Sequence, residues 1–292
     1  MISDLKAFLR REFHTMPPLE KKLLEILAQD IGKEDVSTRL VPETPCTAVV
    51  TAGETCVVSG VEEAVFLLRH AKAKVTIHKK DGEQAKKEDK IITAKGRNKP
   101  ILECERTVLN VLGRMSGVAT LCKKASQIAG KKARIFLTRK TMPGFNEFDK
   151  KACAHGGVFP HRKNLAEMIL FKDNHLEFAS ITNLLKKAHH AKKFTPAKKV
   201  EIEVDNTRQA IEAAENGADI IMLDNFSPQN AKKTIARIKK INPHVQVELS
   251  GGINLKNLEK YVNIGADMVS MGQLTKEAKM VDFSMTLKKV KN

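Results

Sequence analysis

Residues 200–225 read VEIEVDNTRQAIEAAENGADIIMLDN, and this stretch decides the fold. Val200, Ile202 and Val204 alternate with Glu201 and Glu203, the two-residue period of a strand. NTRQAIEAAENG follows with helical apolar spacing, and IIML then forms a second apolar run that ends at Asp224 and Asn225. Strand, helix and strand in so short a span make a βαβ unit, which implies a parallel sheet.

The same rhythm extends on both sides. Apolar runs occur at ARIFLT (133–138), MILF (168–171), VQVELS (245–250) and DMVSMG (267–272), with amphipathic SPQNAKKTIARIKKI and NLKNLEKYVNIG between the later ones. Each unit takes roughly 20–25 residues, as in a βα barrel or a doubly wound sheet. A dinucleotide-binding sheet calls for GxGxxG after its first strand and a P-loop protein for GxxxxGK[ST]. The chain has neither, so the reading is a barrel. The first third differs. After a polar helix over Leu19–Gln29 come the short β-rich runs CTAVVTA, TCVVSG, KVTIHK and KIITAKG, interrupted by helical VEEAVFLLRHA. This predicts a small α/β domain over residues 1–115, joined by the C-terminal tail 276–292, and a barrel over 116–275. Helical ERTVLNVLGRMSGVATLCKKASQIAG connects them.

Lysine and arginine number 51 against 34 aspartates and glutamates in 292 residues, a net charge of +17. Such a balance suits nucleic acid, a membrane surface or a small anionic substrate. With 4% aromatic residues, no tryptophan and one tyrosine, base stacking on aromatic rings has little to work with. The lysine pairs are scattered (Lys79-Lys80, Lys186-Lys187, Lys198-Lys199 and others), as on a solvated surface, so no specific nucleic-acid partner is expected. No apolar run approaches the roughly 20 residues that span a bilayer, and MISDLKAFLRREF is too charged for a signal-peptide core. The five cysteines are scattered without CxxC or zinc spacing, which fits free thiols in a reducing cytoplasm.

Polar groups recur where the strands end. ARIFLT leads into Arg139 and Lys140, MILF into Lys172 and His175, VEIEV into Asp205, and IIML into Asp224; VQVELS ends in Ser250 before Gly251-Gly252, and DMVSMG in Gly272. In βα barrels that rim carries the active site. The parity of VEIEV aims Glu201 and Glu203 into the barrel, where buried carboxylates need cations or a metal. Arg139, Lys140, Arg162 and Lys172 are the natural cations, and magnesium held with Asp224 is the natural metal. Fixed cations around one cavity suit a small polyanion. Glycines at LSGGI and SMGQL let backbone N–H groups approach phosphate. No Cys–His or Ser–His pairing points to covalent catalysis.

Taken in order, ERTVLNVLGRMSGVAT, TRKTMPG, GGVFPHR, MILFKDNH, VEIEVDN, IIMLDN, VELSGGI and VSMGQLT resemble the quinolinate phosphoribosyltransferase family over residues 105–275, and GKEDVST and CVVSGVEEA resemble its N-terminal pattern. The resemblance implies an N-terminal α/β sandwich and a C-terminal incomplete parallel α/β barrel of the type II phosphoribosyltransferase kind. It implies transfer of phosphoribose from phosphoribosyl pyrophosphate to quinolinate with magnesium, followed by loss of carbon dioxide, giving nicotinate mononucleotide for NAD. By motif, Arg139, His161, Arg162 and Lys172 hold the quinolinate carboxylates, and Arg106 reaches the site of a neighbouring subunit in a homodimer or larger assembly. Lys140, Glu201, Asp224, Ser250, Gly252 and Gly272 serve phosphoribosyl pyrophosphate, with Glu201 and Asp224 on the metal. Four positions differ from the family's usual residues: Asn146 and Ala154 replace arginines, Pro160 an asparagine and Lys276 a histidine. Pro160 also resembles a related family associated with molybdenum transport genes, whereas KDNH and VELSGG favour the quinolinate enzyme.

Overall fold

The computed structural model describes residues 17–197 and 199–290; MISDLKAFLRREF and Lys198 lie outside the described residues. The strands in chain order are β1 (Pro45–Ala52), β2 (Cys56–Val57), β3 (Lys74–Ile77), β4 (Gln84–Ala85), β5 (Lys90–Arg97), β6 (Arg134–Leu137), β7 (Phe159–Pro160), β8 (Ile169–Phe171), β9 (Val200–Val204), β10 (Ile220–Asp224), β11 (Gln246–Ser250), β12 (Met268–Met271) and β13 (Phe283–Lys289). Two compact units result, one from the described parts of Met1–Thr120 and Lys279–Asn292, the other Leu121–Ala278. The division falls inside the long helix Asn98–Ala129. No described helix is long and apolar enough to cross a membrane.

The first unit is built on a four-stranded antiparallel sheet in the order β13-β1-β5-β3. β1 turns Cys46, Ala48, Val50 and Ala52 to the core on alternate positions. The helix Val61–His70 contributes buried Ala64, Leu67 and Leu68 to this unit's core. Gly113 and Gly117 sit in the long helix, where each costs up to about 1 kcal/mol against alanine. A Cβ at Gly113 would stand 2.8 Å from the Val281 carbonyl oxygen, and one at Gly117 would overlap that of Lys279. The bare helix face thus admits the C-terminal segment, and the Val281 N–H donates to the Gly113 carbonyl at 3.0 Å. β13 then pairs with β1 from Cys46 to Ala52.

The second unit holds seven strands in the order β7-β6-β12-β11-β10-β9-β8. β12 pairs in parallel with β6, so the last strand of the unit closes on the first, and neighbours around the ring are neighbours in sequence. One break remains, between β7 and β8, the two ends of the sheet. The result is an incomplete parallel α/β barrel. Ser180, Asn206 and Ser227 cap the helices Ile181–Ala191, Thr207–Glu215 and Pro228–Ile241, each side chain accepting a first-turn N–H. Val200, Ile202 and Val204 on β9 are all buried, as are Ala210, Ala213 and Ala214 on the helix that follows. That division of faces leaves the alternate residues of each strand to fill the barrel.

Candidate active site

All seven barrel strands deliver residues to one cavity of about 380 Å³ at their C-terminal ends. Its lining comprises Thr138, Arg139 and Lys140 after β6; His161 and Arg162 after β7; Leu170 and Lys172 at β8; Glu203 on β9; Met222 and Asp224 on β10; Glu248 and Ser250 on β11; and Ser270 on β12. Four cations and three carboxylates therefore face one small space. Lys172 is ion-paired with Glu203 and its N–H donates to His175 Nδ1 at 3.1 Å. Arg162 Nη1 donates to the Met168 carbonyl at 3.1 Å. A wider hollow of about 710 Å³, bounded by the loops after β6 and β7, shares Arg139 with it.

Strand register fixes the depth of each acid. Ile220 pairs with Glu201 and Met222 with Glu203, while Asp224 pairs with Ser250. Asp224 thus stands two residues, roughly 7 Å, above the level of Glu203 and four residues, roughly 13 Å, above that of Glu201.

Below the rim three buried side chains from different strands meet. His161 Nε2 lies 3.3 Å from Glu201 Oε2 and 3.4 Å from Glu248 Oε2, and both glutamates are fully buried. Ser270 Oγ donates to Glu248 Oε1, and the Arg162 N–H donates to His161 Nδ1 at 2.9 Å. Burial and the Glu248 charge push the Glu201 carboxyl up to about 7, with His161 and Arg162 opposing. Burial pulls His161 down, but hydrogen bonding and charge from the two glutamates outweigh it and lift the imidazole to about 9. The Arg162 N–H donating to Nδ1 favours the neutral ring with its proton on Nε2 and a second proton on a carboxylate, whereas the two carboxylates favour the imidazolium. In either arrangement the three side chains hold the same two protons and carry one net negative charge. Their ligand atoms lie within 4.8 Å of one another, close enough for a metal. With Nδ1 accepting a hydrogen bond, however, the proton sits on the Nε2 that a metal would need.

The structure brings Arg139, Lys140, His161, Arg162, Lys172, Asp224 and Ser250 together as the sequence reading expects. Glu201 departs from it. Its carboxylate is turned to His161 below the cavity, too deep to share a cation with Asp224, and Glu203 is the β9 acid that lines the cavity. His161 departs in part, because both ring nitrogens face protein groups; the cationic lining of the cavity is left to Arg139, Lys140, Arg162 and Lys172. Gly252 and Gly272 stand outside the lining. Nothing lies within 4 Å of where a Gly252 Cβ would be, and the Lys140 and Lys276 stems pass 3.3 and 3.9 Å from that of Gly272. Gly251, at φ +87°, is the glycine the turn requires, since a Cβ would meet the Asn225 amide nitrogen at 2.5 Å. Arg106 is an exposed residue of the first unit and no part of the cavity lining. Glu248 and Ser270 were missed, although Glu248 shares strand parity with Ser250 in VQVELS and so had to face inward.

Comparison with known proteins gives a consistent result. Residues 35–116 match the N-terminal domain and residues 118–286 the C-terminal domain of quinolinate phosphoribosyl transferase. A probable nicotinate-nucleotide pyrophosphorylase (carboxylating) of Methanothermobacter thermautotrophicus is 36% identical over 275 residues, 91% of this chain and 98% of its own length. One from Bacillus subtilis is 33% identical over 273 residues, 91% and 92% of the two chains. The solved structure of the nicotinate-nucleotide pyrophosphorylase from Francisella tularensis superposes with a TM-score of 0.86 at 31% identity, covering 94% of this chain and 98% of the other.

Proposed function

The chain belongs to the quinolinate phosphoribosyltransferase family and is a pentosyltransferase of the carboxylating nicotinate-nucleotide pyrophosphorylase kind, and we propose that its barrel cavity joins quinolinate to phosphoribosyl pyrophosphate. The observation that carries this reading is the ring of four cations closing on two rim carboxylates, Glu203 and Asp224, within about 380 Å³. Quinolinate is a dianion, and Arg139, Arg162 and Lys172 receive its carboxylates, arginine by its planar fork and lysine as a point charge.

The ring nitrogen attacks C1 of the ribose as the bond to pyrophosphate breaks, the electron pair leaving with pyrophosphate. Positive charge grows on the sugar, where Glu203 and Asp224 stabilise it, and negative charge grows on the leaving group, where Lys140 stands. Ser250 and the open space at Gly252 suit the approach of a phosphate to backbone N–H groups. The alkylated nitrogen is then cationic. Its positive charge stabilises the electron pair left on the adjacent carbon when the carboxylate departs as carbon dioxide, and that carbon takes up a proton.

For magnesium, the donor chemistry of the rim fits: Asp224, with Glu203 one layer below, offers the hard oxygen ligands this ion prefers. When bound it supplies neutralisation of the pyrophosphate charge. A homodimer in which Arg106 of the partner subunit completes each site is part of the same proposal. Incubation with quinolinate, phosphoribosyl pyrophosphate and magnesium should yield nicotinate mononucleotide by mass spectrometry. Recovery of unchanged quinolinate under conditions where the folded protein is stable would refute the reading.

A further inference from the structure

Arg162 follows the weakest strand of the barrel. β7 is two residues long, pairs only with β6, ends in Pro160 and borders the break in the ring. Proline supplies no ladder donor, and the His161 N–H reaches the Leu137 carbonyl at a long 3.4 Å. The Arg162 N–H is spent on the neighbouring imidazole and not on a strand. Sheet hydrogen bonds therefore do little to hold the arginine that faces the cavity.

A buried lysine takes their place. Lys150, on the helix Asn146–His155, is 4% exposed, and its ammonium donates to the His161 carbonyl at 2.8 Å and the Arg162 carbonyl at 3.0 Å. Packing alone does not explain an ammonium here, because a methionine of similar length would fill the place without burying a charge. We propose that Lys150 is a positioning residue: bridging these two carbonyls, it sets the backbone of the His161–Arg162 pair at the open seam, and so the place and direction of the Arg162 guanidinium. The role rests on the reading of Arg162 as a carboxylate-binding group.

Two readouts on one set of variants test this. In crystal structures, Lys150→Met should move the Arg162 backbone by about 1 Å or more or leave it in several positions; an Arg162 superposing on wild type overturns the proposal whatever the substrate is. In kinetics, Lys150→Met should raise KM for quinolinate at least tenfold while KM for phosphoribosyl pyrophosphate stays within about twofold, a loss on the order of 1.4 kcal/mol confined to one substrate. Lys150→Arg, which keeps donors for both carbonyls, should recover most of it. Parallel shifts in both KM values, or none, count against a positioning role. Should Lys150→Met fail to fold, Lys150→Gln, which retains one donor, carries both readouts with the same expectations at smaller size. A wild type unable to use quinolinate would sink the functional reading alone, leaving the crystallographic result to decide on Lys150.

Discussion

Replacing His161 by phenylalanine removes the ring nitrogen that stands 3.3 Å from Glu201 and 3.4 Å from Glu248, both fully buried. In the wild type one proton beyond those of the unfolded chain near neutrality serves the three side chains. Without the imidazole an additional proton must be held on carboxyl oxygen for the pair to remain in the dry barrel. For a carboxyl with an ordinary value of 4.5, holding that extra proton at pH 7 costs roughly 3 kcal/mol, at about 1.4 kcal/mol per pH unit. This agrees with the 3–5 kcal/mol typical of breaking a buried pair by removing one partner. At about 2–4 °C per kcal/mol, Tm of the barrel unit should fall by roughly 6–12 °C.

The sign of the pH dependence follows from the same shifts. Glu201 is raised from 4.5 to about 7, so its contribution is complete below 4.5 and gone above about 7; His161 is raised from 6.5 to about 9, so its contribution is complete below 6.5 and lost by about 9. Wild-type Tm should therefore decline from about pH 4.5 to about 9, first through Glu201 and then through His161, and His161→Phe should decline more steeply, so that the gap between them widens with pH. Adding Glu201→Gln to His161→Phe removes one of the protons to be held and should close part of the gap. Scanning calorimetry of the three proteins across this range provides the assay. A gap independent of pH, or a double variant no more stable than His161→Phe, would refute the account of the buried acids.

Other perturbations address the cavity. Lys172→Ala leaves Glu203 without its cation, but the Lys172 side chain is 41% exposed and its pairing is screened by solvent; kcat/KM for quinolinate should fall about tenfold, or about 1.4 kcal/mol, with a smaller fall for nicotinate. Arg106→Ala mixed with Lys172→Ala should regain activity in hybrid dimers if each site borrows Arg106 of the partner subunit, and confirmed hybrids without activity would argue against shared sites. Gly251→Ala combines a φ of +87° with a Cβ driven against the Asn225 backbone, and should lower stability by about 2 kcal/mol or more, read as a shift in denaturant midpoint at unchanged slope.

Much of this architecture is legible in residue patterns, because the signals are local. VEIEV, IIML and VQVELS carry their own period, and the stretches between them carry caps and helical spacing. Three features were hidden because their causes are not local. Parity aims Glu201 and Glu203 into the barrel alike, but only the pairing of Ile220 with Glu201 and Met222 with Glu203 tells which reaches the rim. β7 is too short to show alternation, and Pro160 argues against a strand at all; it exists as an edge beside β6. The pairing of β13 with β1 joins residues far apart in the chain, and no pattern in FSMTLKK names its partner. Glu248 is a different case. Its parity is readable in VQVELS, but it sits in mid-strand, away from the strand ends where polar groups mark the rim.

Relative use of quinolinate and nicotinate by the wild-type protein bears most directly on the cationic cavity. Nicotinate lacks the carboxylate beside the ring nitrogen, so its binding leaves one cation of the Arg139, Arg162 and Lys172 group desolvated and unpaired. A cost of about 3 kcal/mol or more corresponds to at least roughly a hundredfold preference for quinolinate in kcat/KM. Measuring kcat/KM for both acids at saturating phosphoribosyl pyrophosphate and magnesium should show that preference. Equal use of the two acids would contradict the assignment of these cations to a dicarboxylate.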